Sequence, residues 1–95
     1  MSQTVLPSVF ELVASKCKKS KSLYLEPELK SDRIEIGLKK GNSRVPFVYI
    51  RENGKGLEMQ YHSELGYNSD FVFELRKSIQ DKYSSYNLIM RRGLF

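Results

Sequence analysis

Residues 33–62 read RIEIGLKKGNSRVPFVYIRENGKGLEMQYH: three alternating apolar runs separated by two glycine turns. In the first run Ile34, Ile36 and Leu38 point one way, and Arg33, Glu35, Gly37 and Lys39 point the other. That period of two marks a strand with one dry and one wet face. Gly41-Asn42-Ser43 turns the chain. Val45 to Arg51 is the next strand and is apolar on both sides: Val45, Phe47 and Tyr49 alternate with Pro46, Val48 and Ile50. The pattern predicts a strand buried on both faces or lying under a loop, with Pro46 tolerated near its start. Asn53-Gly54 is a hairpin signal, because both residues accept positive φ. In the last run Leu57, Met59 and Tyr61 face inward, and Glu58, Gln60 and His62 face out. The three runs form an antiparallel meander.

The flanks change period. Leu6, Val9, Phe10, Val13 and Cys17 recur at three and four residues, which predicts a helix. Pro7 suits its entry, and Ser8 with Glu11 matches a capping box. Leu23-Tyr24-Leu25 followed by Glu26-Pro27 reads as a short edge strand or an extended lead-in, since proline cannot donate to a ladder. Asn68 or Ser69 caps a second helix, in which Phe71, Leu75, Ile79 and Tyr83 share a face. Tyr86 to Arg92 reads as a fifth strand, with Tyr86, Leu88 and Met90 alternating, or as a further helical stretch, with the strand slightly favoured. The expected architecture is α+β: an antiparallel sheet of three to five strands, with an N-terminal and a C-terminal helix on one face.

Composition bounds the function. The 95 residues predict one compact basic domain, 1–95, with a modest core. Sixteen Lys and Arg against eleven Asp and Glu give a net charge of +5, which favours acidic partners or merely keeps a small domain soluble. One cysteine cannot close an intrachain disulfide, and no secretory leader or spanning segment is read, so a reducing cytoplasmic or nuclear setting is expected.

Catalytic chemistry is poorly supplied. His62 is the one histidine, and its strand neighbours Ser63 and Glu64 alternate in direction, which makes a poor catalytic cluster. Cys17 falls on the apolar side of the first helix, as a small hydrophobe does. Two N or S donors fall short of the usual four for zinc. The carboxylate pairs Glu26 with Glu28 and Glu35 with Glu58 fit a solvated sheet face at least as well as acid–base work. The glycines at 37, 41, 54 and 56 match no phosphate loop. No enzyme activity, cofactor, metal or small-molecule substrate is expected.

The basic residues carry the leading reading. Lys16, Lys18, Lys19 and Lys21 cluster at the end of the first helix; Lys39, Lys40 and Arg44 sit at the tip of the first hairpin; Arg91 and Arg92 come near the end of the sequence. If these converge, they form a cationic surface for a phosphate backbone. Tyr24, Tyr67 and Tyr86 would add base stacking if exposed, or else cap the core. Lys30, Arg33, Arg51, Lys55, Arg76, Lys77 and Lys82 read as ordinary solvated surface among acids. The expected role is a non-enzymatic nucleic-acid-binding module, RNA slightly ahead of DNA. The alternative is a protein–protein module (inhibitor, immunity-type or accessory subunit, or a homodimer through the sheet), with Val48 and Ile50 as the sticky patch if one face of their strand is uncovered. Binding to an anionic membrane surface ranks last, because the first helix lacks a basic face along its length.

The run Leu23-Tyr24-Leu25-Glu26-Pro27-Glu28-Leu29-Lys30, leading into Arg33-Ile34-Glu35-Ile36-Gly37-Leu38-Lys39-Lys40, resembles the small Alu-domain subunits of the signal recognition particle. The resemblance is topological and spans roughly Phe10 to Tyr83. It implies a sheet face able to grip RNA.

Overall fold

Alternation of side chains builds five strands and the three-to-four spacing builds two helices, in the order α1 (Leu6–Lys19), β1 (Leu25–Leu29), β2 (Ile34–Lys40), β3 (Ser43–Asn53), β4 (Gly56–Tyr61), α2 (Ser69–Lys82) and β5 (Asn87–Arg92). This computed structural model describes residues 4–19, 25–54, 56–62 and 69–92, the side chains of Lys40, Ser69 and Arg92 excepted. The strands form one sheet in the order β1-β2-β3-β4-β5. The first four are antiparallel, as the hairpin signals require; Gly41 and Gly54 take positive φ at the two turns, whereas Asn53 stays in ordinary space as the last residue of β3.

β5 is a strand, and it lies parallel to β4, not antiparallel. The reason is steric. Two parallel strands need a crossover of a dozen or more residues, and α2 supplies it. Both helices cover the same face. The core there joins Leu6, Val9, Val13 and Cys17 of α1 and Val72, Leu75 and Ile79 of α2 to Ile34, Ile36, Val48, Ile50, Leu57 and Met59 of the sheet.

The doubly apolar strand has a local cause. Val45 pairs with Leu38, Pro46 with Gly37 and Val48 with Ile36, so Phe47 has no partner in β2. This bulge inserts one residue and shifts the phase of the alternation. Val45, Val48 and Ile50 then share the helical face, and Phe47 turns its ring onto Phe71 of α2, 6.1 Å between centroids. The carbonyl of Phe47 accepts the His62 N–H at 3.0 Å. β3 is therefore covered on one face only. Val48 and Ile50 are wholly buried under the helices, so they offer no patch to a partner.

The start of α1 also differs from the capping-box expectation. The Thr4 hydroxyl accepts the Leu6 N–H at 3.1 Å, and the carboxylate of Glu52, at the far end of β3, accepts the Val5 N–H at 2.7 Å and the Thr4 hydroxyl proton. An anion from the sheet thus sits at the positive end of the helix dipole, where the helix's own first turn has none. Ser8 falls inside the helix.

Candidate nucleic-acid interface

The open face of the sheet is a lattice of opposite charges. Pairing puts Glu28, Glu35, Tyr49, Gln60 and Arg91 in one row across all five strands, and Arg51 opposite Glu58 in the next. Arg44 donates to Glu35 at 2.7 Å and reaches Glu28 at 3.6 Å and Glu26 at 3.8 Å. Arg33 lies 3.6 Å from Glu35 and 3.5 Å from Asp32, with its guanidinium 4.9 Å above the Tyr49 ring. Arg51 and Arg91 share Glu58, at 3.7 and 2.7 Å, and Arg51 also donates to the side-chain amide oxygen of Gln60. Lys30 pairs with Glu28 at 2.8 Å.

These contacts set the proton affinities. The hydrogen bond from Lys30, then the charge of Arg44, hold the Glu28 carboxyl below its usual range. The Glu35 hydrogen bond raises the already high affinity of Arg44. Glu35 and Glu58 are buried by the arginine stems that cross them, not solvated. Much of the pairing is purely coulombic, since the Nε atoms of Arg33, Arg44 and Arg51 are buried without a hydrogen bond.

Gly37 makes room for this. A Cβ there would lie 2.3 Å from the Arg44 Nε, so only glycine lets the Arg44 stem run across β2 to its acids. Such close approach is a recurrent reason for a strand glycine.

The bookkeeping of charge follows. Among the described residues the ion pairs join five cations, Lys30, Arg33, Arg44, Arg51 and Arg91, to five carboxylates, Glu26, Glu28, Asp32, Glu35 and Glu58. Taking these from the sixteen and the eleven leaves eleven cations and six acids, which is the whole net +5. The ion-paired network of the open face is therefore neutral, and Lys39, opposite Arg44 on that face, is a cation left over from it. Arg44 and Arg91 leave the set of free cations, and Arg33, Arg51 and Lys30 are lattice members instead of ordinary surface.

The remaining basic residues behave differently. Lys18, Lys19 and Lys39 are exposed and Lys16 half-buried, and none makes an ion pair among the described residues. Two anchors orient α1. Its first residues are tied to Glu52, and the helix packs on β1. From Lys19 the chain reaches Leu25, the partner of Leu38, in six links, at most about 20 Å. No acid occurs between Leu12 and Leu25 or between Ile36 and Arg51. Lys21 lies outside the described residues, as do the side chains of Lys40 and Arg92.

The other candidates resolve as follows. Cys17 is buried in the core, and desolvation pushes its thiol up to about 11. Tyr86 is half-buried and meets the Tyr83 ring edge-on at 6.0 Å, so it caps the core and offers no stacking platform; Tyr24 and Tyr67 lie outside the described residues. Among those residues, no helix is long and apolar enough to cross a membrane. The class these features define is a small α+β domain with a mixed five-stranded sheet and one charged open face. No family model matches the chain, and neither a curated protein nor a solved structure matches it.

Proposed function

We propose that this chain is a non-enzymatic module that binds the phosphate backbone of nucleic acid through the lysine-rich end of α1 and the β2–β3 tip. The binding set is Lys16, Lys18, Lys19 and Lys39, with Lys21 and Lys40 beside them in sequence. What supports the reading is the division of charge: among the described residues Arg33, Arg44, Arg51 and Arg91 are held by carboxylates on the open sheet face, while Lys39 on that face and the lysines of α1 make no ion pair. Unpaired ammonium groups release counterions from a polyanion at little cost, whereas a paired arginine must first give up its acid. Phosphate contacts position without reading sequence, so weak sequence preference is expected. RNA and DNA offer the same phosphate; Tyr86 packs edge-on against Tyr83 and adds no ground for preferring RNA, while Tyr24 and Tyr67 lie outside the described residues. Glu35 and Glu58, the nearest approach to catalytic acids, are committed to arginines, which fits a binding role. Fluorescence anisotropy with labelled single- and double-stranded oligonucleotides tests this. Lys18→Glu, Lys19→Glu and Lys39→Glu together should abolish binding with no change in melting temperature. Equal binding by this variant and the wild type removes the proposal.

A further inference from the structure

The two edges of the sheet are not alike. An edge strand carries a row of unpaired N–H and C=O groups that template another strand unless something blocks them. β1 is blocked. It is five residues long, Pro27 at its centre has no N–H, and its outward side chains Glu26 and Glu28 are tied into ion pairs. β5 is less protected: only Arg91, tied to Glu58, matches one of these devices. Its six residues include no proline, no bulge interrupts its pairing with β4, and it ends the strand order. Ile89 at its middle is 40 % exposed on the open face, among the most exposed large apolar residues of the described chain.

We propose that β5 is a self-association edge that pairs antiparallel with β5 of a second copy, giving one continuous ten-stranded sheet with all four helices on the same side. The occupant follows from the strand's own chemistry. A two-fold axis normal to the sheet keeps faces together, so odd-numbered residues must meet odd-numbered ones. Centred on Ile89, that register sets Ile89 against its copy, Leu88 against Met90 on the helical face, and Asn87 against Arg91. Each contact is compatible. Two isolated apolar side chains cover each other, and the core-facing pair extends the existing apolar layer. Arg91 would repel its copy in many registers, but here each Arg91 meets a neutral Asn87 and keeps its own Glu58 at 2.7 Å. The interface is isologous, as two-fold pairing demands. One strand pair is a small contact, so association is weak and concentration-dependent. It does not depend on the nucleic-acid reading, because the lysines of α1 and the β2–β3 tip lie outside β5.

Cysteine cross-linking on the full chain tests the register. In antiparallel pairs directly opposite Cα atoms lie about 4.5–5.5 Å apart, within disulfide reach. Ile89→Cys should therefore form a disulfide-linked dimer of twice the 11.1 kDa chain under mild oxidation. Asn87→Cys, equally exposed, would sit four residues from its copy, about 13 Å away, and should stay monomeric. The native Cys17 is buried and does not compete. Light scattering of the wild type should show mass rising with concentration toward the dimer, and Ile89→Lys, which sets two like charges face to face, should abolish that rise while keeping the circular dichroism of the fold. A wild type that stays monomeric up to about 1 mM, a dimer indifferent to Ile89→Lys, or equal cross-linking at 87 and 89 overturns the proposal.

Discussion

Glu35→Gln removes the charge that two arginines share while keeping the shape of the side chain. In the native protein Arg44 donates to this carboxylate at 2.7 Å and Arg33 lies at 3.6 Å, and the Glu35 side chain is only 10 % exposed. Removing one partner of a fully buried pair costs about 3–5 kcal/mol, because the other charge is stranded. Here the stranded groups are 29 % and 35 % exposed, so water recovers part of their solvation. Arg44 also retains Glu28 and Glu26, though at longer range. A loss of about 2 kcal/mol is the reasonable figure after that discount. A domain of this size melts about 4–8 °C lower per kcal/mol, so thermal unfolding followed by circular dichroism should show a fall of about 8–16 °C. Glu35→Leu with Arg44→Leu should recover part of it, since the buried pair goes together while Arg33 keeps Asp32 and Glu28 keeps Lys30. A Glu35→Gln protein melting within about 2 °C of the wild type would show that the lattice is loose surface charge of the kind worth little.

Five further outcomes follow from the same geometry. Gly37→Ala pushes the Arg44 stem off β2 and should lower stability by about 1–2 kcal/mol; in a double-mutant cycle with Glu35→Gln the losses should be less than additive, because both act through Arg44. Gly56→Ala should be worse, measured by urea unfolding, because its Cβ meets the backbone carbonyl of Asn87 at 2.4 Å and β5 must shift as a whole. Glu52→Ala should cost about 1 kcal/mol by losing the acceptor for Val5 and Thr4 at the start of α1. Two titrations bound the pH range. The Cys17 thiol is raised from 9.0 to about 11 in the fold, so the unfolded chain loses its proton first and stability should decline as pH rises from about 9 toward 11, by at most about 3 kcal/mol; Cys17→Ala should flatten that limb. Glu28 is lowered, so its contribution is present above the ordinary carboxylate value and lost as pH falls through its folded value; Glu28→Gln should flatten the acid limb of the same stability curve.

The sheet was legible where side chains alternate without interruption. β2 and β4 alternate apolar with polar residues, and the glycines at 41 and 54 mark the turns between strands. β3 misled because a bulge has no signature in hydrophobicity alone: one inserted residue, Phe47, makes a one-faced strand look two-faced, and it turned the core residues Val48 and Ile50 into a supposed surface patch. The direction of β5 could have been inferred. Alternation says nothing of direction, but a fourteen-residue helix between two strands is the crossover that parallel pairing requires. Charge was harder still. Sequence spacing gives no cross-strand neighbours, so Arg44 and Arg91 looked like free cations until register set Glu26, Glu28, Glu35 and Glu58 beside them. Lys16, Lys18 and Lys19 make no ion pair among the described residues, and the run from Val13 to Tyr24 holds no acid.

The salt dependence of nucleic-acid binding bears most directly on the division between held and free cations. Four lysines in contact with phosphate should give a log–log slope of about −3 to −4, and Arg91→Gln should leave it unchanged, because that arginine belongs to Glu58. A slope near zero, or one that flattens on Arg91→Gln while surviving reversal of Lys18, Lys19 and Lys39, contradicts it.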